Sequence, residues 1–187
     1  MNPGSSESYA KATPDRPQVH RRPEARLAGP TGWMDVMASE YPRLLVDRDV
    51  TIFRDNQPEQ TRLRAWLDSH DGPMPTYRVE LATRLGKYTC PYTATGPDIF
   101  EALVRLRRQL EPDGLQIAVQ GARRDTYPSG MARDMGGGLQ VYVMRAGRRA
   151  RRDDVLETLD NAPAEQLGTV DEQSAFANAW RNDQNKQ

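Results

Sequence analysis

The sequence predicts an α+β protein, a mostly antiparallel sheet of about five or six strands with helices packed on one face. Three observations carry that expectation. Residues 99–110 repeat their apolar positions with the period of a helix. Several short segments, such as Tyr77–Leu81, Leu115–Val119 and Leu139–Val143, alternate apolar and polar residues with the period of a strand. The expected strands come in pairs separated by single helices, which favours an antiparallel sheet over a parallel one.

In chain order, residues 1–32 are rich in Ser, Pro, Ala, Arg and Gly and poor in large apolar residues. They are expected to form a disordered tail, with His20-Arg21-Arg22 solvated in it. A single domain is expected over 33–182, followed by a frayed end at 183–187. Trp33, Met34, Met37 and Tyr41 stand at helical spacing, and Pro42 would end that helix. Leu44-Leu45-Val46 and Val50-Thr51-Ile52-Phe53 read as two short strands turning at Asp47-Arg48-Asp49. Residues 57–70 read as a helix, with Pro58 in its first turn, Leu63, Trp66 and Leu67 on one face, His70 at its end and Asp71-Gly72-Pro73 beyond it.

Tyr77–Leu81 and Tyr88–Thr95 follow as strands around Leu85-Gly86-Lys87. Pro91 in the second cannot donate to a ladder, so that strand belongs at an edge. Thr95 and Gly96 are cap-type residues, and Pro97 and Asp98 suit a first helical turn. Ile99, Leu103, Leu106 and Leu110 then share one face, which Phe100 and Val104 widen. Pro112-Asp113-Gly114 stops the helix.

The strands Leu115–Val119 and Leu139–Met144 are expected to pair antiparallel across the 18-residue loop Gly121–Gly138. A loop of that length is usually functional or disordered. After the turn 145–152, Asp153–Leu159 reads as a short helix and 171–182 as a final docking helix carrying Phe176, Ala177 and Trp180.

Composition narrows the function classes. The net charge is zero but uneven, with eleven basic and four acidic groups over 105–152, then two and eight over 153–187. A basic block beside an acidic tail fits nucleic-acid binding guarded by a decoy. It also fits an acidic segment that folds back to neutralise arginines within one protein, the preferred reading. No apolar run is long enough to cross a bilayer, and no apolar signal core opens the chain, so no membrane association and a cytoplasmic location are expected. Cys90, the single cysteine, fits a reducing compartment and reads as a small buried hydrophobe. One thiol with His20 and His70 is too little for a zinc site. Asp47, Asp49 and Asp55 lack the spacing of a calcium loop, so no metal and no cofactor are expected.

The loop Gly121–Gly138 gives the leading functional reading. Arg123, Arg124, Asp125, Tyr127, Met131, Arg133 and Asp134 combine residue types enriched at interfaces, on a segment held between rigid strands. Arg–Asp pairs within it would also order the loop itself. This points to a non-catalytic protein-binding module, an adaptor or an inhibitor/immunity-type protein, that uses this loop and the adjoining arginine-rich turn, with another protein as partner. Arg145, Arg148, Arg149, Arg151 and Arg152 form the alternative, a nucleic-acid contact, although no aromatic residues are interleaved for base stacking. A third reading is an enzyme acting on a phosphorylated small molecule at Gly136-Gly137-Gly138. The lysine and following helix of a P-loop are missing there, and close backbone approach is the preferred explanation of the glycines. No nucleophile elbow, metal-ligand spacing or dinucleotide fingerprint occurs, so no catalytic residue is assigned.

Overall fold

The computed structural model describes residues 41–69, 74–85 and 88–184. Its architecture is α+β, built on a five-stranded antiparallel sheet and a smaller three-stranded one. The tail expected over 1–32, the helix expected from Trp33, and His70 with Asp71-Gly72-Pro73 lie outside the described residues, as does the Cys90 side chain.

Strands β1 (Arg43–Arg54), β2 (Gln57–Ser69), β3 (Thr76–Leu85) and β4 (Tyr88–Gly96) form an antiparallel meander. β5 (Leu115–Ile117) returns to pair with β1, giving the order β4-β3-β2-β1-β5. β4 therefore lies at an edge, as Pro91 requires.

Two expectations fail here. Asp47-Arg48-Asp49 is no turn but the middle of one continuous strand, and the described part of the helix expected over 57–70 is strand β2 (Gln57–Ser69). The turn is Asp55-Asn56, whose φ values of 48° and 63° are those of a two-residue hairpin. Leu63, Trp66 and Leu67 do share a helical spacing. Thr61, Leu63, Ala65 and Leu67 also alternate, and pairing on both sides selects the strand by putting these four into the core.

Helix α1 (Ile99–Leu110) crosses the large sheet. The cap is Asp98 rather than Thr95 or Gly96, because its carboxylate accepts the Glu101 N–H at 2.7 Å and leaves Pro97 outside the helix. Ile99, Leu103, Leu106 and Leu110 enter the main core with Val50, Ile52, Leu63, Val79 and Leu81. Phe100 and Val104 face a second cluster with Val141 and Val170. α1 is thus buried from two sides. Gly114 closes the 3₁₀ turn Glu111–Asp113 that follows α1, at φ 69°.

The second cluster is roofed by the small sheet, β6 (Thr126–Tyr127), β7 (Gln140–Val143) and β8 (Val155–Glu157), in the order β6-β7-β8. β5 and β7 consequently sit in different sheets, and the pairing expected between 115–119 and 139–144 does not form. β5 extends β1 instead, with Ile52 opposite Ile117. The helix expected over 153–159 is a single 3₁₀ turn, Arg152–Asp154, followed by β8. Residues 121–138 are not an irregular loop. They contain part of a 3₁₀ turn (Gln120–Ala122), then β6 and helix α2 (Gly130–Asp134). The final helix α3 (Val170–Gln184) forms as expected.

α3 is docked through a buried polar clasp. Arg107, only 3% exposed, donates to Gln173 Oε1 at 2.6 Å and to the Gly168 carbonyl at 2.5 Å. Gln173 Nε2 reaches the carbonyls of Gly121, Arg123 and Thr126, each at 2.9 Å. Glu111 lies 3.5 Å from the same guanidinium and accepts the Val170 N–H at the start of α3. Burial pushes the Arg107 pKa down to about 10, which still leaves it charged at neutral pH. Arg107→Met is expected to cost about 3–5 kcal/mol in urea unfolding, because it strands these acceptors in the interior.

Candidate partner-binding surface

The glycine-rich segment is explained by packing. Ile99 N–H donates to the Gly137 carbonyl at 2.9 Å, so the segment crosses the start of α1. A Cβ on Gly138 would lie 2.7 Å from Asp98 Oδ1 and 2.8 Å from Phe100 N, and one on Gly137 would lie 2.5 Å from the Tyr77 hydroxyl. Both residues have positive φ, so no other residue fits without strain. Burial and the nearby Asp98 carboxylate push the Tyr77 hydroxyl pKa up. Gly137 and Gly138 are buried, and the end of α1 they cover is already capped by Asp98.

The polar residues of this segment divide into two groups. Arg123 is bidentate to Asp125 at 2.9 and 2.8 Å and also reaches Gln120. Arg133 binds Asp98 at 2.8 Å and Glu101 at 3.2 Å. Arg123, Asp125 and Arg133 therefore act inside the fold as tethers. Arg124 and Asp134 are exposed and make no ion pair among the described residues.

Tyr127 and Met131 stand elsewhere. Tyr127 packs edge-on against Phe100, with ring centroids 5.0 Å apart, and carries the Arg181 guanidinium 4.5 Å above its face. With Pro128, Tyr142, Met144 and Trp180 it lines an open hollow of about 330 Å³ between the small sheet and α3. Ser129 caps α2 beside this hollow, accepting the Ala132 N–H at 3.1 Å. Met131, in α2, and Met135, its C-cap, are 72% and 83% exposed and four residues apart, which places them on one side of the turn. Tyr142, Trp180, Arg181 and Met135 were not among the expected contact residues. Trp180 and Tyr142 were visible on their separate elements, but only the docking of α3 brings them together.

The arginine turn adjoins the hollow through Ala150. Trp180 Nε1 donates to the carbonyls of Arg145 (2.9 Å) and Arg148 (3.2 Å), fixing the turn to α3. Asp154, 4% exposed, accepts Arg148 at 2.7 Å, the Arg151 N–H at 2.9 Å, and stands 3.4 Å from Arg145. A carboxylate of the acidic C-terminal segment thus neutralises two of the five arginines. Arg149, Arg151 and Arg152 are exposed and have no ion pair among the described residues.

Asp47, Asp49 and Asp55 do not converge. Asp47 and Asp49 bind Arg62 at 2.6 and 3.1 Å on the outer face of the sheet, and Asp55 is a turn residue. The Arg62 hydrogen bond holds the Asp47 carboxyl below its ordinary value. Among the described residues no group of three or more His, Cys, Asp or Glu could hold a metal ion, and no helix is long and apolar enough to cross a membrane. No protein-family model matches this chain, and neither does any curated protein. The surface offers aromatic, thioether and guanidinium groups, which suit recognition.

The Asp154 pKa is lowered first by the Arg151 N–H and then by the bond to Arg148. A carboxyl depressed in the folded state adds stability that is complete above its unfolded value and disappears as pH falls through the folded one. The stability gap between the wild type and Asp154→Asn, followed by thermal unfolding from pH 6 downward, is expected to be constant at first and to close below about pH 3.9.

Proposed function

We propose that this protein is a non-catalytic protein-binding module, an adaptor or an inhibitor, that contacts its partner through α2 and the hollow between the small sheet and α3. One observation carries this reading. Met131 and Met135, the two most exposed large apolar side chains among the described residues, stand together next to an open aromatic hollow. Methionine is flexible and polarisable and suits adaptable binding surfaces, while tyrosine, tryptophan and arginine supply much of the energy at interfaces. The rim carries Arg181 and, on the adjoining turn, Arg149, so the partner segment pairs an apolar anchor with carboxylates.

The test is a nuclease-treated pull-down from the native lysate with wild-type bait and with Met131→Asp/Met135→Asp. Both side chains are exposed, so the variant keeps its fold. A stoichiometric partner held by the wild type and weakened at least tenfold in the double variant supports the proposal. Equal capture by both baits, or an empty wild-type bait, overturns it.

A second reading rests on the unpaired Arg149, Arg151 and Arg152. If this turn binds nucleic acid, release of counterions from three phosphate contacts makes the affinity for a random duplex fall roughly fortyfold between 50 and 200 mM salt, and triple alanine substitution flattens that slope. Fluorescence anisotropy measures both, and salt-independent or absent binding removes the reading.

A further inference from the structure

β1 has twelve residues, and only Ile52, Phe53 and Arg54 pair with β5. Beyond them the Ala118 N–H donates to the Thr51 carbonyl at 2.9 Å, and the chain then turns away so that Val119 bridges Asn161. From Leu44 to Val50, the side of β1 away from β2 has no strand beside it among the described residues. Backbone groups alternate in direction along a strand. The Thr51 carbonyl points to the β5 side, so the N–H and C=O of Asp49 and Asp47 point to that same, open side. Such an edge is a ready template for another strand.

A floor already exists beside this edge. A slot of about 330 Å³ is lined from β1 by Leu45, Val46 and Arg48, and from the other side by Leu139, Glu157 and Leu159. Leu159 belongs to the main core, and Leu45, Val46 and Leu139 are partly buried against it. A bulge between Leu44 and Val46 interrupts the register with β2 here. Leu44, opposite Trp66 in that register, is 49% exposed.

Charge decides what fits. Glu157 and Asp160 bring carboxylates to the slot against one guanidinium, Arg48, while the Asp47 carboxylate is turned to Arg62 on the outer face. Arg48 is itself committed, to the Asp160 carboxylate and, at 3.1 Å, to the Leu159 carbonyl. Glu157 is exposed, with the Gln140 amide 3.0 Å away.

We propose that the open side of β1 is a docking site for an extended, basic peptide segment of another protein. The segment adds as a strand to Leu44–Val50, sets an apolar side chain on the Leu45–Val46–Leu139 floor, and places a lysine or arginine against Glu157. Main-chain bonds give such strand addition its affinity, and alternate side-chain pockets give it selectivity. The site is separate from the α2 surface and does not depend on it.

The experiment titrates the full chain into a fluorescein-labelled peptide of alternating valine and lysine, and into its valine–glutamate counterpart, and reads anisotropy. Saturable binding of the lysine peptide and at least tenfold weaker binding of the glutamate peptide are expected. Asp49→Pro deletes an edge-facing N–H but no bond to β2, and should weaken lysine-peptide binding at least tenfold. Asp49→Ala, which loses only the carboxylate, should bind as wild type does. Circular dichroism checks the fold of each variant. Glu157→Gln at an exposed position should narrow the difference between the peptides, and it decides the matter if Asp49→Pro does not fold. Equal binding of both peptides, no binding of the lysine peptide, or undiminished binding by folded Asp49→Pro overturns the proposal. So does a concentration-dependent dimer that Asp49→Pro abolishes without any peptide capture, because the edge then belongs to a second copy.

Discussion

A charged side chain almost wholly inside a protein must have its donors satisfied there, and Arg107 imposes that requirement here. Helix α1 lies between two sheets, so its flank of Phe100, Val104 and Arg107 is not open to water. Arg107 stands on that flank, and its partners come from four places: Gln173 in α3, the carbonyls of Gly168 and Gly121, and Glu111 one turn further along. Gln173 in turn holds the 3₁₀ turn and β6 through three backbone carbonyls. One guanidinium thus sets where α3 docks, and α3 sets the wall of the aromatic hollow through Trp180 and Arg181. The position of the candidate surface follows from a buried charge that takes no part in it.

The arginines show how residue type alone overstates the number of cations free to meet a partner. Arg123 and Arg133 have the composition of contact residues, yet each has a carboxylate within 3 Å and is used inside the fold. Arg62, Arg64 and Arg78 likewise lie in a lattice with Asp47, Asp49, Asp68 and Glu80 on the outer face of the large sheet, where Arg78 also covers Trp66 at 4.1 Å. An exposed pair of this kind contributes little individually. Such pairing still removes a cation from the set available to a partner. Among the described residues the cations left without an ion pair are fewer, Arg124 beside Arg123 and Arg149, Arg151 and Arg152 in the turn among them.

The legible parts of the fold were those with one strong local signal. The four-residue stripe of α1, the proline in β4 and the apolar face of α3 each named their own place. β2 failed because Leu63, Trp66 and Leu67 satisfy a helical period while Leu63, Ala65 and Leu67 satisfy a strand period. Only the neighbours on both sides decide between them. Its turn was hidden as well, since Asp55-Asn56 adopts the left-handed conformation without a glycine. At the site, Tyr127 and Met131 were readable, but Tyr142, Trp180 and Arg181 were not. They lie on two further elements, and no local pattern states that α3 will dock beside β7.

The late return of β5 to β1 has a kinetic consequence. β1 to β4 follow one another as a meander, so their ladders close over short stretches of chain. The edge contact between Ile52 and Ile117 instead spans the whole meander and α1. Closing long loops is entropically slower, and contacts distant in sequence form after local ones have reduced the search. The meander and α1 are therefore expected to form before the β1–β5 contact, with the small sheet and α3, and so the two surfaces described above, completed after them.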